Sequence, residues 1–191
     1  MKNILILAGP SGVGKTTLAH TLLNNSDRFE LVCSVTTRAP RADSYDSEYI
    51  YISKDEFARL VSEGGVLEYT EYAGNFYGTP RSEIERISAD GKTPLLILDL
   101  NGVHTVVNSK SDICPCAVYI TVPDSLLLER LSQRYGTDTE KLNSRLEKNI
   151  SERAYFEEIK ADFFAVVENA GNVEKCADEI KDLFFDFCEK Q

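Results

Sequence analysis

The sequence has 191 residues, 42% of them apolar and 27% charged, with a formal net charge of −10. That length fits one domain, and the apolar share is enough for a substantial core, which excludes a disordered chain. The acidic balance excludes a general nucleic-acid binder, and no apolar run approaches the length of a membrane span.

Met1-Lys2-Asn3 leads into the first strand without a signal-peptide h-region, and five cysteines with no secretion signal read as reduced thiols. A cytoplasmic protein is expected. Asn3 to Ala8 is a short apolar run that suits a buried parallel strand. It breaks at Gly9-Pro10, and Gly9 to Thr16 fits G-x-x-x-x-G-K-[ST], the P-loop pattern. Glycines at Gly9, Gly12 and Gly14 let the backbone around Ser11, Val13 and Thr17 turn its N–H groups toward phosphate oxygens. The N-terminus of the following helix adds partial positive charge. Lys15 would reach the β- and γ-phosphates, and the Thr16 hydroxyl would ligate Mg²⁺. The plainer reading is a glycine turn with a solvated lysine. The strand before the pattern and the helix-like run after it (Leu18-Ala19, Leu22-Leu23) favour the P-loop.

A helix is predicted from about Gly14 to Leu23, stopping at Asn24-Asn25. His20 reads as a helix-surface or packing residue, as does His104. Glu30 to Val35 is a candidate strand, and Thr36 to Ser47 is a polar, arginine-bearing loop. Arg38 and Arg41 flank Pro40 there. Two guanidinium forks so close suit a second phosphate, or else form a solvated basic loop. Tyr49 to Ile52 resumes as a strand; the hydroxyls of Tyr49 and Tyr77 either reach a phosphate or simply pack.

Ser53-x-x-Glu56 is a capping box, followed at helical spacing by Phe57, Leu60 and Val61 and ended by Gly64-Gly65. Val66 to Tyr72 is strand-like, Gly74-Asn75 marks a turn, and Thr79-Pro80 reads as an N-cap with proline at the first helical position. Pro94 to Leu100 is a second buried strand carrying Asp99 at its end. Asp99 is either a Walker-B-like residue orienting Mg²⁺ or a helix N-cap.

Cys114-Pro115-Cys116 is too tight for redox or zinc spacing and reads as packing. Ala117 to Val122 is the third buried strand. Pro123-Asp124 starts a helix through Leu131. Arg130 and Arg134 share a face one turn apart, Gln133 to Thr139 is a polar loop, and Arg145 follows. These arginines either neutralise charge on a transferred phosphoryl group or pair with Glu129 or Glu147 at the surface. Leu142, Leu146, Ile150 and Ala154 predict a long amphipathic helix. Phe163 to Val167 is a final strand, and Val173 to Phe187 carries a helical apolar stripe.

Strands alternating with helices predict an α/β fold with a parallel sheet covered on both faces. The segments at about 33–90 and about 134–140 do not fit inside that sheet. In a phosphoryl-transfer enzyme they would be a substrate-holding subdomain and a lid.

Ser34-x-Thr36-Thr37-Arg38-x-Pro40-Arg41 resembles the signature of guanylate kinases. Leu67-Glu68 with Gly74-Asn75-Phe76-Tyr77-Gly78-Thr79 is similar to another of the family's motifs, and Gly9-Pro10-Ser11-Gly12 is its P-loop form. Arg130, Arg134 and Arg145 match its lid arginines in order and spacing. The resemblance covers essentially the whole chain. It implies a P-loop NTPase-type parallel sheet flanked by helices, with a core at 1–32, 91–123 and 160–191, a monophosphate-binding subdomain at about 33–90 and a lid region at about 124–159.

The implied activity moves the γ-phosphoryl of ATP onto GMP or dGMP with Mg²⁺, in a cytoplasmic monomer or homodimer without nucleic-acid or membrane partners. Carried over residue by residue, Arg38, Arg41, Tyr49 and Tyr77 would hold the monophosphate, and Ser34, Glu68 and Thr79 would read the base, with Asp99 near base or metal. Lys15, Arg130, Arg134 and Arg145 would act on the transferred group. The chain departs from the family at Asp43-Ser44, where a Gly-Glu pair is usual, at Ser47 in place of a glycine, and at Ile97, the first of two usual aspartates. The departures motivate a kinase of another small monophosphate acceptor. Two further alternatives are a phosphopeptide-binding module of the same fold and a P-loop ATPase or GTPase without an acceptor.

Overall fold

The computed structural model describes residues 1–40 and 48–191. Arg41 and Ser44 therefore lie outside the described residues. The first sheet has five strands in the order β2-β7-β1-β8-β9, all parallel. They are β1 (Lys2–Ala8), β2 (Phe29–Leu31), β7 (Thr93–Ile97), β8 (Ile113–Thr121) and β9 (Ala165–Glu168). The second sheet has the order β4-β3-β6-β5 and is mixed. Its strands are β3 (Ser34–Thr36), β4 (Tyr49–Tyr51), β5 (Val66–Tyr72) and β6 (Asn75–Pro80). The helices are α1 (Lys15–Asn25), α2 (Lys54–Ser62), α3 (Arg81–Ala89), α4 (Leu100–Val107), α5 (Asp124–Tyr135), α6 (Thr139–Glu158) and α7 (Val173–Glu189).

Alternation along β1 explains why it reads as a continuous apolar run. Leu5 and Leu7 face one core layer with Leu18, Leu131 and Phe184. Ile4, Ile6 and Ala8 face the other with Ile87, Val103 and Phe156. A strand covered on both faces has no polar side to show. β1 sits mid-sheet. The chain leaves it for β2 on one side and later crosses to β8 on the other, so a crevice opens at the carboxyl end of β1, where such sheets bind ligands.

Four local expectations change. The run Glu30 to Val35 is two strands, because Leu31 pairs with Leu95 in the first sheet while Val35 pairs with Gly78 in the second. The strand expected over Pro94 to Leu100 ends at Ile97, and Leu100 already belongs to helix α4, capped by Asp99; Leu100, Val103 and Val106 supply its buried face. Thr79 does not cap α3. Pro80 stands at the cap with no side-chain bond, and the Thr79 hydroxyl donates instead to Glu68 Oε1 at 2.6 Å. In α6 the apolar spacing of four drifts about 40° per step against the helix, so Ile150 ends 70% exposed and Ala154 also faces outward. The inward face runs instead through Leu142, Leu146, Asn149 and Phe156. The capping box of α2 forms as read: Glu56 N–H donates to Ser53 Oγ at 3.2 Å, and Ser53 N–H to Glu56 Oε2 at 2.8 Å.

Candidate active site

The loop after β1 turns on left-handed glycines, Gly9 at φ 146° and Gly14 at φ 95°. A side chain at Gly9 would run into the Ile120 carbonyl on β8, and one at Gly14 would meet Asn169 Nδ2 at 2.7 Å. Both positions need glycine for space as well as for φ. The loop is gripped from outside. Arg130 donates from Nη1 to Val13 O at 3.1 Å and from Nη2 to Asn169 O at 3.2 Å, and Asn169 Nδ2 donates to Val13 O at 2.8 Å. Asn149 holds Ser11 through both backbone groups.

Lys15 lies across the loop, its Nζ donating to Gly9 O at 2.6 Å and Pro10 O at 3.0 Å. Burial pushes its ammonium down to about 8, against the pull of Glu152. Among the described residues no carboxylate forms an ion pair with it, and a cation so placed at the head of a helix is set to accept an anion. A cleft of about 750 Å³ opens here between Ser11, Gly12, Gly14, Lys15, Thr16, Thr17, Arg130 and Arg134, with Asn169 and Tyr49 at its walls. Asn169 is 1% exposed, and its Oδ1 has no hydrogen-bond partner among the described residues.

A second cleft, of about 570 Å³, lies between the two sheets. Ser34, Arg38, Tyr49, Glu68, Tyr77 and Asp99 line it, together with Ile97, Tyr72, Arg145 and Lys148. Arg38 donates from Nη2 to the Tyr51 hydroxyl at 3.2 Å and stacks over the Tyr49 ring at 5.2 Å. Tyr49 meets Tyr77 edge-on with centroids 6.1 Å apart. The two tyrosines therefore both pack and line the cleft. Burial raises the Tyr49 hydroxyl above its usual range.

Burial also pushes Glu68 up to about 7. The Thr79 bond opposes this and the Asp99 charge adds to it. Asp99 caps α4, its Oδ1 accepting from Gly102 N–H at 2.8 Å, which bears out the N-cap reading, and the same residue lines the cleft. Arg145 donates to the Tyr72 hydroxyl at 3.1 Å, while Glu129 takes its hydrogen bond from Gln133 at 3.1 Å.

A smaller opening of about 240 Å³ joins the two clefts. Gly9, Ser11, Lys15, Asp99, Arg145, Lys148 and Glu152 line it. Residues from the P-loop, the end of β7 and one face of α6 thus meet at a single point. Tyr51, Tyr72, Lys148, Asn149, Glu152 and Asn169 were not singled out from sequence. The i, i+3, i+4, i+7 spacing of Arg145, Lys148, Asn149 and Glu152 was the available signal, since it continues the Arg145 face of a helix. His20 and His104 stay outside the clefts, bonded to Glu48 at 3.0 Å and Asp162 at 2.6 Å. Cys114 and Cys116 pack in β8.

The sequence model of the family described as guanylate kinase matches residues 1–187. The chain is 33% identical over 189 residues to the guanylate kinase of Mesoplasma florum, covering 96% of this chain and 61% of that one. It is 39% identical over 140 residues to that of Synechocystis sp., covering 72% and 71%. It is 38% identical over 162 residues to that of Clostridioides difficile, covering 82% and 74%. Among solved structures it is similar to the crystal structure of guanylate kinase from Anaplasma phagocytophilum. There the TM-score is 0.70 at 29% identity, over 97% of this chain and 85% of that one.

Proposed function

The chain belongs to the guanylate kinase family, and on that premise we propose that its two clefts are the ATP and GMP sites of a nucleoside monophosphate kinase. The reaction is transfer of the γ-phosphoryl of ATP onto GMP or dGMP. The observation that carries the site reading is the small opening where Lys15, Asp99 and Arg145 meet between the clefts. In-line transfer needs donor and acceptor phosphates to face each other at one point lined by cations.

In this reading the amides of Gly12 and of Gly14 to Thr17 cradle the donor phosphates, since Pro10 has no N–H and the Ser11 and Val13 N–H groups donate to Asn149 Oδ1 and Pro10 O instead. Lys15 leaves the carbonyls of Gly9 and Pro10 for the phosphate oxygens. Arg130 and Arg134 border the donor cleft and Arg145 the acceptor cleft, so charge spreading over the transferred group meets guanidinium from both sides. Arg38, with Tyr49 and Tyr77, receives the acceptor phosphate, and Arg41 belongs to the same set. Ser34 and Glu68 read guanine. A carboxylate accepts from the ring N–H and the exocyclic amine, and acceptor binding favours the charged form of Glu68. Thr79 serves the base through Glu68, because its hydroxyl already donates there.

Magnesium suits the donor set. The Thr16 hydroxyl, at the head of α1 in the donor cleft, and the Asp99 carboxylate, in the opening beside Lys15, are hard oxygens. Bound there with nucleotide phosphates and water, the ion would supply charge neutralisation. Residues 33–90 act as the acceptor-holding subdomain and 124–159 as the lid on the core of 1–32, 91–123 and 160–191. The net charge of −10 supports an enzyme without nucleic-acid partners, and the family resemblance implies a cytoplasmic monomer or homodimer. Among the described residues no helix is long and apolar enough to cross a membrane.

The test is ADP release with Mg²⁺-ATP and, in turn, GMP, dGMP, AMP, CMP and UMP. Turnover confined to GMP and dGMP is expected. Preference for another monophosphate, or no turnover, would overturn the reading.

A further inference from the structure

Asn149 is the one side chain of α6 that is polar, fully inside and committed to the P-loop. It is 3% exposed. Its Oδ1 accepts from Ser11 N–H at 3.2 Å and its Nδ2 donates to Ser11 O at 3.2 Å. Reversing the amide would set donor against donor and acceptor against acceptor, so only one orientation satisfies both bonds. A residue 138 positions away in sequence thus reads both backbone groups of one P-loop residue. Arg145 lies one turn before Asn149, and Lys148 and Glu152 flank the same face. All three line the opening between the clefts.

We propose that Asn149 is a positioning residue that pins α6 to the P-loop and so fixes where Arg145 stands relative to the donor phosphates. The inference rests on the reading of Arg145 given above. It also divides the lid. Helix α6 is bonded to the P-loop through Asn149, whereas among the described residues no hydrogen bond ties the Gly136 corner before it to that loop.

The experiment is a double-variant cycle in the full chain, with Asn149→Ala, Arg145→Ala and the pair, reading kcat and the KM for GMP. Asn149→Ala should lower kcat about ten- to hundredfold while KM for GMP stays within about threefold, since it displaces a transition-state contact. The pair should be no slower than Arg145→Ala alone, because the pin acts through that arginine. An unchanged kcat in Asn149→Ala, or losses that multiply in the pair, would overturn the proposal. Unchanged turnover in Arg145→Ala alone would instead overturn the reading of Arg145, and the proposal with it. If Asn149→Ala does not fold, Asn149→Ser carries the same cycle, since it too is too short to span Ser11.

Discussion

The Thr79 hydroxyl donates to Glu68 Oε1 at 2.6 Å, and the two residues are 1% and 7% exposed. One hydroxyl is too little to offset the burial of a carboxylate, so Glu68 titrates near 7 rather than at its ordinary 4.5. Between those values the folded protein keeps a proton that the unfolded chain has released, so stability falls as pH rises through that window. The full effect, reached above pH 7, is about 3 kcal/mol.

Glu68→Gln stays neutral throughout and keeps an acceptor for Thr79. The variant is therefore expected to match the parent in unfolding free energy near pH 4.5. At pH 8 it should exceed the parent by up to about 3 kcal/mol. Urea unfolding without nucleotide at the two pH values measures this. A gap that does not grow with pH would show that Glu68 ionises freely.

Lys15 gives the opposite sign. Its folded value near 8 lies below the ordinary 10.5, so the folded protein releases the proton first and stability rises with pH between them. Lys15→Ala removes that burdened charge together with its bonds to Gly9 O and Pro10 O. It should fold, with a thermal midpoint within a few degrees of the parent at pH 7. Turnover should fall by about a thousandfold or more, since a preorganised cation facing the transferring phosphate is lost. A variant that unfolds, or one that keeps full activity, would contradict the placement of this lysine.

The parts of the fold that were legible are those where one local pattern carries one structure. β1 reads from its apolar run, the P-loop from spaced glycines, α2 from Ser53 and Glu56, and α7 from its stripe. Misread parts depend on partners distant in sequence. Nothing within Glu30–Val35 says that its two halves pair with different sheets. Thr79-Pro80 carries a sound capping signal, yet a buried carboxylate eleven residues away takes the hydroxyl. Asn149 looks like any polar position on a helix until Ser11 is brought against it. The candidate site follows the same rule. Lys15 and the arginines announce themselves by chemistry, while Asn149, Asn169 and Tyr51 matter only through where the chain folds.

The capping box offers a control distant from chemistry. Ser53→Ala removes the acceptor for Glu56 N–H and frees the Glu56 side chain from the Ser53 hydroxyl. A loss of about 1 kcal/mol is expected, a fall of about 2–4 °C in thermal midpoint for a chain of this size. Turnover at 25 °C should be unchanged, because Ser53 lines neither cleft. A calorimetric scan beside the assay checks both halves.

Ile97 stands in the acceptor cleft between Leu96 and Leu98, half-buried and packed against the core layer of Leu5 and Leu7. The carboxylate that meets guanine's donors in our reading is Glu68, and Ile97 adds only apolar wall. Ile97→Asp should therefore cost about 1–2 kcal/mol of stability through lost burial. It should leave the ratio of kcat/KM for GMP over AMP within about tenfold of the parent, because wall contacts discriminate weakly. Glu68→Gln should lower that ratio by about a hundredfold or more, since it puts an amide N–H where guanine offers N–H groups of its own. Both ratios come from one assay with two acceptors. A collapse of selectivity in Ile97→Asp, with Glu68→Gln left selective, would move base recognition from β5 to the end of β7.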